Sequence, residues 1–399
     1  MDLDVLLSRL IELGGSDLHL KIASPAMARI DGALQPMEER LLTESDLETV
    51  LTLVGERTPA KREAFYTTGE LDTAYLADGL GRFRVNAYRQ RGSISFAFRF
   101  IPKEIPSFEK LGLPKGVAGL AEEHRGLVLV TGATGSGKST TLAALVNSIN
   151  RSRKQHIVTI EDPIEFVHDD WGCIVNQREV GLDTESFLEA LKRVLRQDPD
   201  VILIGELRDE ESARAALQAA ESGHYVLSTM HTIDAAETIG RLVEFFPPAK
   251  HQMTRQILAG VLRGVVSQRL LPKVDGGRVA AVEVMINTAR IADLIRDGES
   301  DKIPEAIEEG DFHDMQSFSQ HLVELVLAGL IDEETAGNAA SNRHDFEIAM
   351  QQALRVRRVD DKAASDVQSE RAEEQAAADG STPSGNGKGS GLRLASKKK

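Results

Sequence analysis

The run Leu127-Val128-Leu129-Val130 leads through Thr131 into Gly132-Ala133-Thr134-Gly135-Ser136-Gly137-Lys138-Ser139. Four consecutive apolar residues predict a strand buried on both faces. The octapeptide fits G-x-x-x-x-G-K-[ST], and Leu142, Leu145, Val146 and Ile149 follow it at helical spacing. A strand, a glycine-rich turn and a helix in that order define a phosphate-binding loop. Its glycines let backbone N–H groups converge on a β-phosphate, where a side chain would block the approach. Lys138 is placed to neutralise β/γ-phosphate charge, Ser139 to help hold Mg²⁺ and Thr140 to meet the α-phosphate.

A bound triphosphate needs carboxylates as well. Val201-Ile202-Leu203-Ile204-Gly205-Glu206 is a buried strand ending in one. There Glu206 can orient or deprotonate an attacking water beside Mg²⁺. Ile157-Val158-Thr159-Ile160 runs into the acidic turn Glu161-Asp162-Pro163-Ile164-Glu165. That turn reads either as a solvated loop or as a second carboxylate site, with Glu161 reaching Mg²⁺ through water. A third apolar strand, within Gly223–Thr232, ends at His231. His231 is either a structural histidine or a group that senses the γ-phosphate, since ligands gather at the carboxyl ends of α/β strands. No helix carries His, Asp or Glu at metal-ligand spacing, so no metal beyond Mg²⁺ is expected.

Working outward, strand-like runs alternate with amphipathic helices from about Leu111 to Val284, the order of an α/β fold with a mostly parallel sheet. Upstream, Leu3, Leu6, Leu7, Leu10 and Leu13 predict a helix stopped by Gly14-Gly15. A strand is expected where Leu18 and Leu20 alternate with Asp17, His19 and Lys21, a strand entering a turn over Met27–Gly32, and a second helix around Ser45–Leu53. A hairpin follows, over Gly81–Ala87 and Ser93–Ile101, turning at Tyr88–Gly92. One of its faces is apolar; the other carries Arg82, Arg84 and Arg99. Those arginines read either as a solvated face or as groups that swing onto a γ-phosphate. The proline-bearing stretch Ile101–Pro106 reads as a linker. The expected parts are an α+β domain at 1–102, a linker at 103–111, the ATPase core at 112–284, C-terminal helices at 285–356 and a disordered tail at 357–399.

The 399 residues suit two or three domains. Lys plus Arg number 47 against 62 Asp plus Glu, a net charge of −15, and aromatics are 5%. That balance argues against nucleic acid as a partner. The single cysteine, Cys173, excludes an intrachain disulfide and a multi-cysteine zinc site. The N-terminus lacks a signal-peptide pattern and no apolar run approaches 18 residues, so a cytoplasmic protein is expected.

Leu195–Asp209, spanning Arg196-Gln197-Asp198-Pro199-Asp200 and Glu206, resembles the signature of the secretion ATPases of type II secretion and type IV pili. The segment Glu161–Glu165 matches that family's Asp box and Gly223–Thr232 its His box. Gly15–Leu20, Gly81–Asn86, Ser267–Leu270 and Met315–Phe318 resemble the PilT-type, pilus-retracting group. The resemblance covers roughly Met1 to Ser341. It implies a RecA-like P-loop NTPase core behind a PAS-like N-terminal domain, a ring homohexamer, ATP and Mg²⁺ as ligands, and Arg82, Arg84 and Arg99 as arginine fingers. Arg208 is a further candidate for charge coupling. An inner-membrane pilus platform protein and a sister pilus ATPase are the implied partners, at the inner face of the membrane.

Extension motors of the family carry a four-cysteine module, which this chain lacks, so retraction is favoured over an assembly or secretion ATPase. Two departures stand out. Ala133 replaces the usual proline of the loop. Ala292 and Asp293 replace an arginine and an asparagine in the helix tied to retraction, which leaves an accessory retraction motor as an alternative. A ring scaffold that binds ATP without hydrolysing it is the alternative from another class, and the intact Lys138, Ser139 and Glu206 weigh against it.

Overall fold

The alternation that predicts strands in the first hundred residues closes into an antiparallel sheet. The computed structural model describes residues 1–30, 32–101 and 104–355. In chain order the first six strands are β1 (Asp17–Lys21), β2 (Met27–Ile30), β3 (Ala33–Pro36), β4 (Glu70–Ala77), β5 (Gly81–Gln90) and β6 (Ser93–Ile101). They pair in the order β3-β2-β1-β6-β5-β4. One face buries Leu18, Leu20, Phe83, Val85, Phe96 and Phe98 against helices Leu3–Glu12 and Glu44–Val54. The first helix carries Leu3, Leu6, Leu7 and Leu10 into that core at helical spacing, with Asp2 capping its start. The second opens on a capping box between Thr43 and Asp46.

The hairpin turn differs from expectation. Its strands run on to Gln90 and resume at Ser93, leaving Arg91 and Gly92, both at positive φ, as a two-residue turn. Arginine rarely adopts that conformation, so the sequence carries little signal for it. Helix Pro59–Thr68 and strands β3 and β4 go beyond the elements expected. The helix buries only Phe65, β3 is exposed throughout, and β4 turns Thr73 and Ala77 inward beside Leu71, so none shows a clean apolar period.

The second sheet holds β7 (Gly126–Thr131), β8 (His156–Glu161), β9 (Ile174–Glu179), β10 (Val201–Ile204), β11 (Tyr225–Met230), β12 (Leu262–Pro272) and β13 (Arg278–Ile286). Their order is β13-β12-β7-β11-β10-β8-β9, parallel except for β13. This is the α/β fold with a parallel sheet that the alternation predicts. Every residue of β7, β10 and β11 is buried, because helices cover both faces. Leu127 and Leu129 pack toward helices Phe187–Val194, Glu210–Glu221 and Ala235–Glu244. Val128 and Val130 pack the other way, onto Leu142, Leu145, Val146 and Ile149 of helix Lys138–Ser152.

Helices Ala289–Asp297, Ile303–Glu308, Phe318–Leu327 and Glu333–Ala339 follow. Met1–Ser341 forms one compact unit. The second unit begins at Asn342, and its residues 343–355 are helical. The expected disordered tail at 357–399 lies outside the described residues, as do positions 102 and 103 at the start of the linker.

Candidate nucleotide site

The carboxyl ends of β7, β8, β10 and β11 bring four sequence segments together. The loop after β7 is shaped by backbone. Gly132, Gly135 and Gly137 have φ of +137°, +82° and +95°, and a Cβ on Gly132 would collide with the Gln268 carbonyl. Among the described residues, no side chain caps helix Lys138–Ser152 at Gly137 and the buried Ser136 hydroxyl has no hydrogen-bond partner. Uncapped N–H groups at a helix start, open space above Gly135 and Gly137 and an unpaired buried hydroxyl fit a phosphate. Lys138 is buried. Its Nζ donates to the Gly132 carbonyl at 2.7 Å and the Ala133 carbonyl at 3.0 Å. Burial pushes its ammonium below the ordinary lysine range, against the opposing pull of Glu206 and Glu165.

From β10 the chain delivers Glu206 and from β11 His231. The Glu206 Oε1 is 3.2 Å from His231 Nε2, and its Oε2 is 2.9 Å from Arg208 Nη2. His231 Nδ1 lies 3.5 Å from Lys138 Nζ. Arg208, Glu206, His231 and Lys138 thus form one continuous polar chain across three strand ends. The ammonium has only donors to offer, so the ring's Nδ1 accepts and its Nε2–H faces Glu206. Beneath them, Ser228 Oγ donates to the Ile204 carbonyl at 2.6 Å and Thr229 Oγ1 to the Gly205 carbonyl at 2.7 Å, which fixes the strand ends side by side.

The acidic turn divides its carboxylates. Glu161 is half-buried and accepts from Thr159 Oγ1 at 2.6 Å, Gln177 Nε2 at 3.2 Å and the Glu165 N–H at 3.4 Å. Burial pushes its carboxyl upward. Both Glu161 oxygens brace the turn, Oε2 through the one long contact to the Glu165 N–H, so acceptor capacity is left for the water-mediated Mg²⁺ contact expected of this residue. Glu165, the same turn's other end, stays partly open and acts on the charge of Lys138. The sequence marks the turn as acidic but not which carboxylate burial will claim.

The arginine face also divides. Arg82 Nε donates to the Ile164 carbonyl at 3.2 Å, and its Nη2 pairs with Glu179. Arg84 Nη1 is 3.4 Å from Glu165. Arg99 pairs instead with Asp17 of β1, at 2.9 Å. The structure therefore brings Arg82 and Arg84 onto the acidic turn and leaves Arg99 within its own sheet. Glu179 has no counterpart among the predicted site residues. It lies on β9, a strand without an apolar run, directly opposite Glu161.

The remaining link is β12. Ser267 accepts from Thr131 Oγ1 at 3.0 Å, and Gln268 Nε2 donates to Thr141 Oγ1 at 2.9 Å, so this strand grips the loop's two ends. Across the ladder from Ser267 stands buried Glu283, which accepts the Ala235 N–H at 2.8 Å at the start of helix Ala235–Glu244. Burial raises its carboxyl to about 7.

A parallel sheet with a phosphate loop on one central strand and a carboxylate on its neighbour but one defines a P-loop nucleoside triphosphatase. The model of the type II/IV secretion system proteins matches residues 83–297. The type IV pilus retraction ATPase PilT of Pseudomonas aeruginosa is 43% identical over 347 residues, 87% of this chain and 100% of that protein. The type IV pilus ATPase PilU of the same organism is 41% identical, across 87% of this chain and 91% of that protein. A crystal structure of the pilus retraction motor PilT with bound ADP superposes with a TM-score of 0.81 at 42% identity, covering 87% of this chain and 99% of that one. The chain belongs to the type II/IV secretion system protein family, and it is an ATP hydrolase.

Proposed function

We propose that this chain is a motor that couples ATP hydrolysis to type IV pilus retraction, and so to twitching motility. The observation that carries the reading is the convergence of Lys138, His231 and Glu206 at adjacent strand ends, in a chain that spans the whole of a retraction ATPase. ATP lies along Gly132–Thr140, with Lys138 exchanging its loop carbonyls for phosphate oxygens. Glu206 orients the attacking water and accepts its proton, and His231, hydrogen-bonded to Glu206, relays the state of the γ-phosphate along β11. Mg²⁺, when bound, offsets charge on the β- and γ-phosphates; the Ser139 hydroxyl would hold it, with Glu161, or the more open Glu165 of the same turn, reaching it through water.

Arginines of the N-terminal sheet close onto the γ-phosphate and stabilise the charge that develops there. Phosphate release removes that attraction and the N-terminal domain, 1–102, moves back from the core as a body. A homohexameric ring turns this movement into work on a membrane-embedded pilus platform protein, from the cytoplasmic face. None of the described helices is long and apolar enough to cross a bilayer.

The near-equal identity to PilU, together with buried Ala292 and exposed Asp293 in helix Ala289–Asp297, favours a second reading, an accessory retraction motor working beside a sister ATPase. The test is steady-state ATPase activity with light scattering, on the purified protein and Glu206→Ala. Active hexamers, silenced by the substitution without losing the ring, support a self-sufficient motor. An inactive monomer that gains activity only with the sister ATPase supports the accessory reading. Deletion in cells separates direction: surplus surface pili for retraction, bald cells for assembly.

A further inference from the structure

The two arginines that reach the acidic turn are held in unlike ways. The Arg82 side chain is 14% exposed and Glu179 is 1% exposed. A single Glu179 oxygen receives both Arg82 Nη2 and the Ile164 N–H, the latter at 3.2 Å, while Arg82 Nε donates to the Ile164 carbonyl. Arginine and carboxylate thus clasp one residue of the turn between them. Removing Arg82 from this clasp would strand a charge in the interior. Arg84 is 42% exposed and meets a Glu165 that is 37% exposed, so it is released at little cost. A second contact lies next to the clasp: Lys61 Nζ donates to the Val180 carbonyl at 3.4 Å. The end of β9 therefore meets both strand β5 and helix Pro59–Thr68 of the N-terminal part.

We infer that Arg82 and Glu179 form a fixed pivot between the N-terminal sheet and the nucleotide core, that Glu179 is a positioning residue for hydrolysis, and that Arg84 is the arginine free to meet the γ-phosphate. This rests on the arginine-closure reading above and divides its labour. The N-terminal sheet rotates about the clasp. Glu179 keeps Ile164, and with it Glu165, in register with the phosphate loop at every stage. Arg84, two residues along β5 and on the same face, then sweeps the arc between Glu165 and the nucleotide.

The experiment uses full-length protein and steady-state ATPase kinetics. Glu179→Gln keeps the shape of the side chain and removes its charge. We expect kcat about tenfold lower, as for a small misplacement of reacting groups, with KM for ATP changed less than about threefold. Adding Arg82→Ala to Glu179→Gln should bring little further loss, whereas adding Arg84→Ala should compound it. Arg82→Lys, which keeps the charge and loses the fork, serves where Glu179→Gln does not fold, and should show the same loss of about tenfold in kcat. Wild-type kcat in Glu179→Gln, or in Arg82→Lys, with Arg82→Ala falling as far as Arg84→Ala, would overturn the pivot and make Arg82 a finger in its own right. Glu206→Gln, run alongside, reports on the hydrolase reading separately: its silence with an unaffected Glu179→Gln condemns the pivot alone.

Discussion

The two sheets serve the same nucleotide site by opposite means. The seven-stranded sheet offers it groups whose places are set by backbone: a glycine loop, a helix start and side chains at the ends of buried parallel strands. The six-stranded sheet offers long side chains from an exposed face, held to the core by ion pairs and a few hydrogen bonds. One region is rigid because its strands are covered on both faces and cross-linked at their tips by Ser228 and Thr229. The other has its own core, complete without the first, as the proposed closure requires of a part that shifts as a body. On the proposed reading, chemistry belongs to the covered sheet and the trigger to the exposed one.

That contrast can be broken most directly at Arg84. Arg84→Ala should lower kcat about a thousandfold, the scale of an arginine finger, as measured by phosphate release. A near-normal rate would confine the active site to the seven-stranded sheet. Glu206→Gln probes the rigid side. It should cost about a hundredfold in kcat while nucleotide binding, read by fluorescent-ATP titration, stays within about threefold. A matching loss of binding would mean that the strand end itself had moved.

A third test concerns the stiffness of the core. Glu283 has a carboxyl raised to about 7 by burial, next to Asp234 and Arg269. The unfolded chain ionises this group near its ordinary value, so between the two values the folded protein binds the extra proton. Stability should therefore fall as pH rises from about 5 to 7, by about 2 kcal/mol for a shift of this size. Glu283→Gln should flatten that slope in chemical denaturation. An unchanged slope would place the titration elsewhere. Smallest of all is Asp293→Asn. The Asp293–Arg296 pair lies on the surface of helix Ala289–Asp297. Its removal should alter stability by less than about 0.5 kcal/mol and leave the ATPase rate unchanged, whatever it does to pilus retraction in cells.

The same contrast explains how much the sequence disclosed. Parallel strands buried on both faces are written as unbroken apolar runs, so β7, β10 and β11 and the groups at their ends are legible at once. The N-terminal sheet mixes Thr, Ala and exposed positions into its strands, which hides β3 and β4. Arg82, Arg84 and Arg99 share a face of the hairpin, as alternation requires, but alternation says nothing of partners. Arg99 is claimed by Asp17, from a strand eighty residues earlier, and Arg82 by Glu179, from a strand with no apolar signature. Glu161 and Glu165 look equivalent in the acidic turn. The pairing of β8 with β9 brings Gln177 onto Glu161, while Glu165 is left to act on Lys138.

Lys138 carries a last consequence. Two of its three N–H groups are already committed to the Gly132 and Ala133 carbonyls, and the third side of the ammonium faces His231. A phosphate arriving at this loop does not find an idle cation; it displaces ligands the loop provides for itself. Nucleotide entry is then an exchange of like for like. Its net free energy is the difference between phosphate and carbonyl, well short of the bare attraction between lysine and phosphate. It also means that a lysine deletion removes a brace along with a charge, and the freed carbonyls, facing the incoming phosphate, become a repulsive lining.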